Sequence, residues 1–199
     1  MSETTDSHAP LEWHQDIRQE LLNSNDRSTV LVAVGLLESK LQELVKVHLG
    51  PSSDGEKLLM FGRPLGNFWA LCEVAHRLQI IDKNVLLILS RLREIRNKCA
   101  HSSKPVVLSE SPYRDWMRDI KAILSFSDAA LMSRSELISV MLTLVGSFDS
   151  KVRNIENNDQ INPEWSYGAY FWIDTTFHSC IYQKAHHPAK SGQTGSEIL

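Results

Sequence analysis

The sequence predicts an all-α protein, a bundle of about five to seven helices, and three observations carry that prediction. Apolar residues recur at helical spacing in several stretches, and no strand-like alternation of useful length appears. Short polar clusters, glycine and proline punctuate those stretches where helices should begin and end. The 199 residues, 42% of them hydrophobic, suffice for one sizeable core with tails. A single domain is expected over residues 10–184, between a polar N-terminal segment, 1–9, and a polar tail, 185–199. No internal repeat is visible.

Taken in order, a first helix is expected from about Leu11 to Leu22, with Leu11, Ile17, Leu21 and Leu22 as its apolar contribution. Asn23-Ser24-Asn25-Asp26 then supplies stop and N-cap residues, because short polar side chains satisfy the free amides of a new helix. The next helix, about Arg27 to Leu49, carries Val30, Val34, Leu37, Leu41, Leu44 and Val45 at helical spacing. Leu31, Val32 and Leu36 widen its first half, which should be buried on more than one side, against the core and a second subunit. Gly50-Pro51-Ser52-Ser53-Asp54-Gly55 is a loop, and Leu58 to Phe61 should dock on the core as irregular structure.

Gly66-Asn67 opens a helix with Phe68, Leu71, Cys72, Ala75 and Leu78 inward. Ile80-Ile81-Asp82 turns the chain into a helix over about Lys83 to Ala100, which Pro105 keeps from extending far. Ser111-Pro112 reads as an N-cap followed by proline in the first helical position, before a face of Trp116, Ile120, Ile123 and Leu124. Ser133-Arg134-Ser135-Glu136 fits a capping box ahead of Leu137, Val140, Met141, Leu144, Val145, Phe148 and Val152. A last, aromatic helix is expected at about 165–184, with Tyr167, Tyr170, Phe171, Asp174, Phe177 and Ile181 at helical spacing and packed on the core.

Composition narrows the function classes. Three cysteines, Cys72, Cys99 and Cys180, cannot all pair, and reduced thiols in a reducing compartment follow. There is no 18-residue apolar run, and Met1-Ser2-Glu3-Thr4-Thr5-Asp6 lacks the basic and apolar regions of a signal peptide. A cytoplasmic protein with no membrane span is expected. Formal net charge −3 and pI near 6.2 argue against a surface dedicated to coating nucleic acid, while leaving room for a local basic cleft.

The most telling run is Leu92 to His101. Val85, Ile88, Leu89, Leu92, Ile95 and Cys99 form one apolar stripe, and Arg96 falls inside it at roughly 40° from Leu92. That phase predicts a mostly buried Arg96, whose donors need carboxylates, carbonyls or a ligand phosphate. Asp26, Glu38, Glu43 and Glu73 are the candidate structural partners. Asn97 and His101, at i, i+4, project from one side of the helix end beside it. Imidazoles titrate near neutral pH, which suits His101 to moving protons, and a histidine at a helix C-terminus also favours the helix dipole.

Arg96-Asn97, three residues, then His101 resembles the R-N-x3-H motif of the HEPN superfamily of small helical domains. In its catalytic members, the resemblance implies, a dimer joins two such motifs for metal-independent RNA cleavage. Asp26 to Glu38, Arg63 to Phe68, Ile80-Ile81-Asp82 and Leu92 to His101 are together similar to the mannitol operon repressor family, over roughly residues 20–155. That resemblance implies a HEPN-like helical bundle without a recognised DNA-binding motif.

Two functions follow as expectations. The first is a transcription-regulator-like protein that acts as a homodimer through a protein partner and does not read DNA alone. The alternative is a HEPN-type ribonuclease in which Arg96 binds the scissile phosphate, Asn97 orients, and His101 moves a proton; RNA is then the partner. Access separates them: Arg96 sealed behind a carboxylate favours structure, and Arg96 open to solvent beside His101 across a symmetric dimer favours catalysis. No cofactor is implied, and His178, Cys180, His186 and His187 lack the spacing of a metal site. A helix-turn-helix is disfavoured because its second helix would begin Asp82-Lys83-Asn84-Val85, poor in long donors.

Overall fold

The computed structural model describes residues 9–50, 58–59, 62, 65–124 and 131–156, with side chains from residue 15 onward. Among these residues there are six helices and no strand: α1 (Ala9–Asn23), α2 (Asp26–Leu49), α3 (Phe68–Arg77), α4 (Lys83–His101), α5 (Tyr113–Ile123) and α6 (Arg134–Glu156). The fold is an all-α helical bundle. The expected aromatic helix at 165–184, and the histidines and cysteine considered as metal ligands, lie outside the described residues.

The longest helix, α2, is the hub. It starts where the polar cluster placed it, with Asn25 as N-cap accepting from Ser28 N at 2.9 Å. Val30, Val34, Leu37, Leu41, Leu44 and Val45 are all buried, so its 3–4 spacing becomes a continuous seam. α2 packs most extensively on α6 and also touches α1, α3 and α4, while α5 packs on α4. Asp26 pairs with Arg134 and Lys40 with Asp149, so α2 and α6 run parallel. Arg27 reaches the carbonyls just past the end of α4, which therefore lies antiparallel to α2.

The opposite side of α2, where burial against a second subunit is expected, is partly open in the single chain. Val32 is 40% exposed, and Leu31 and Leu36 are only partly buried. Among the described residues, the packed helices occupy the other side of α2.

The turn from α3 to α4 is built from backbone geometry. Ile80 N donates to Ala75 O (2.9 Å) and Gln79 N to His76 O (3.0 Å), the paired bonds of a Schellman cap. Gln79 holds the left-handed position with φ 59°, which glycine usually fills. Leu78, expected inward, is 41% exposed because the helix ends there and the chain swings away. Lys151 Nζ of α6 donates to Ile80 O at 2.9 Å and pins this turn. Burial lowers that amine's pKa, opposed by the Asp82 charge.

At the start of α5, Pro112 is the N-cap itself and the helix begins at Tyr113. Ser111 Oγ donates to Asp115 Oδ2 (2.7 Å) and caps no backbone amide, unlike the expected arrangement. The capping box before α6 forms in both directions: Ser133 N donates to Glu136 Oε2 (2.5 Å) and Glu136 N to Ser133 Oγ (3.2 Å). Leu59 docks on the core, and its carbonyl accepts from Gln42 Nε2 at 2.9 Å. No described helix is long and apolar enough to cross a membrane.

Candidate functional site

α4 carries the candidate site. Asp82 caps its start, accepting from Asn84 N (2.8 Å) and Val85 N (2.9 Å). Val85, Ile88, Leu89, Leu92, Ile95 and Cys99 are buried as the stripe required. Arg96 is not: it is exposed, and this corrects the expectation of burial. The stripe drifts along the helix. At its start Val85 and Leu89 lie on Arg96's side, whereas at its end Ile95 and Cys99 stand roughly 100° and 60° away. The long side chain then reaches water without crossing the core.

None of the four candidate carboxylates pairs with Arg96. Asp26 Oδ1 lies 3.0 Å from Arg134 Nε, and its other oxygen accepts from Leu108 N at 2.8 Å. Glu43 pairs with Lys40 at 2.8 Å. Glu38 and Glu73 stand near Cys72, whose thiol their charges help to raise. Among the described residues the one hydrogen-bond partner of Arg96 is Asn97, whose Oδ1 accepts from Nη1 at 3.1 Å.

His101 is exposed one turn beyond Asn97. The structure therefore brings Arg96 and Asn97 into contact and sets His101 on the same open end of the helix. That end is held from α2: Arg27 Nη2 donates to Ser102 O and to Lys104 O, each at 2.7 Å.

Sequence reasoning missed Arg93. It precedes Asn97 by four residues and His101 by eight, so the three share one face, and that signal was present in the spacing. Its guanidinium lies 5.5 Å from the centroid of the Trp69 ring on α3, a cation–π contact. Arg93 is partly buried, and among the described residues no acceptor takes its N–H groups.

The two described thiols contribute no nucleophile here. Burial pushes Cys72 up to about 12, and burial pushes Cys99 up to about 11. Both stay protonated at neutral pH. Arg134, read from sequence only as a filler of the capping box, is instead a polar hub. It donates to Leu21 O (2.8 Å), Leu22 O (3.0 Å), Ser24 O and Thr29 Oγ1 (2.7 Å). Its Nε faces Asp26 off the N–H axis, so that contact is an ion pair without an aligned hydrogen bond.

No protein-family model matches the chain, and no curated protein or solved structure is significantly similar to it. The site has to be argued from its own geometry.

Proposed function

We propose that this chain is a metal-independent ribonuclease of HEPN type, built on a domain of the mannitol-operon-repressor kind and acting as a cytoplasmic homodimer. One observation carries the reading: Arg96 is open to solvent, unneutralised by any described carboxylate and hydrogen-bonded to Asn97, with an exposed His101 at the same end of the helix. A guanidinium free of carboxylates offers a bidentate fork to a phosphodiester.

In the proposed reaction the 2′-oxygen of a ribose attacks the neighbouring phosphorus, and the bond from phosphorus to the 5′-oxygen breaks. Arg96 holds the non-bridging oxygens as their charge grows. His101 of one protomer takes the 2′-hydroxyl proton, and the same residue of the other protomer gives a proton to the departing 5′-oxygen. The products are a 2′,3′-cyclic phosphate and a 5′-hydroxyl, with no redox change.

The second reading, a transcription-regulator-like protein working through a protein partner without reading DNA alone, rests on a different surface. Val32, Gly35 and Ser39 are exposed on the outer side of α2, flanked by the half-buried Leu31 and Leu36, and carry no charge. Either a second copy or another protein would find an uncharged helix face there.

Cleavage of single-stranded RNA in EDTA by the purified protein separates the two. Expected are 2′,3′-cyclic phosphate ends and a loss of at least about a hundredfold in both Arg96→Ala and His101→Ala. Both residues are exposed, so Tm should stay within about 2 °C of wild type. Wild-type protein that leaves RNA intact overturns the nuclease and leaves the regulator.

A further inference from the structure

We draw no further inference here: the strongest candidate, the uncharged outer face of α2 around Val32, Gly35 and Ser39, is an unpartnered helix face, and nothing among the described residues shows what covers it.

Discussion

Replacing Arg134 with alanine should be the most damaging single change outside the apolar core. One guanidinium ties the end of α1, through Leu21, Leu22 and Ser24 carbonyls, to Thr29 and Asp26 at the start of α2. Hydrogen bonds to charged groups contribute about 1.5–3 kcal/mol each, but contacts sharing one side chain do not add. Two facts reduce the sum further. Arg134 and Asp26 side chains remain 29% and 24% exposed, and a stranded Asp26 would keep its bond from Leu108 N. The estimate is about 3 kcal/mol, the low end for breaking a buried ion pair. For a chain of this size that corresponds to roughly 6–12 °C in Tm.

Urea unfolding followed by circular dichroism measures this loss. Arg134→Lys should recover little, because one ammonium cannot fork to carbonyls on α1 and a carboxylate on α2 at once. A double-mutant cycle with Asp26→Asn should show coupling of about 1 kcal/mol. A loss below about 1 kcal/mol for Arg134→Ala, or full rescue by lysine, would refute the idea that this guanidinium joins the three helices.

Two smaller predictions concern the thiols and the α3–α4 turn. Burial holds Cys72 near 12 and Cys99 near 11, against 9.0 for a free thiol, so the unfolded chain loses these protons first. Their contribution to stability is complete below pH 9 and declines as pH rises towards those values, by about 1.4 kcal/mol per pH unit per thiol; Cys72→Ala and Cys99→Ala proteins should show a shallower decline in alkaline urea titrations. Gln79→Gly should stabilise the protein by up to about 1 kcal/mol, since φ 59° strains a side chain that the Schellman turn does not use, and an unchanged or lowered urea midpoint would contradict it.

Helix existence was legible in the sequence because it depends on local signals. Asn25, Asn67 and Asp82 each cap the helix they precede, and the Ser133–Glu136 box closes as its spacing requires. Burial of ambiguous residues was not legible, because it depends on which neighbour covers each turn. Arg96 lies within the ideal stripe yet is open, whereas Arg93, outside it, is half-buried by Trp69 of a helix sixteen residues or more away in sequence. Ideal helical phase assumes that one neighbour covers the full length of a helix. Three helices meet α4 instead, and each covers a different part. Arg134 was illegible for a related reason, since its acceptors lie more than a hundred residues away.

That dependence on neighbours leads to a last prediction, about the helix end that carries His101. The final carbonyls of a helix have no intrahelical donors, so an end left alone frays. Here Arg27 supplies a donor to Ser102 O and Lys104 O, and Asp26, its neighbour in sequence, accepts from Leu108 N further along the same connection. The first turn of α2 thus clamps the segment following His101 at both ends. A catalytic imidazole needs such support, because a misplacement of about 1 Å costs of order a hundredfold in rate. Arg27→Met, which keeps the stem but removes the donors, should speed amide exchange from Lys98 to Lys104 at least about tenfold while the protection of Leu89 and Leu92 in the buried half of α4 is unchanged. In the same variant RNA cleavage should fall through kcat, although Arg27 is neither of the residues proposed to act on the phosphate, Arg96 and His101. Uniform loss of protection along α4 would mean that Arg27 supports the bundle as a whole, and unchanged exchange at Lys98 to Lys104 would mean that the helix end holds itself.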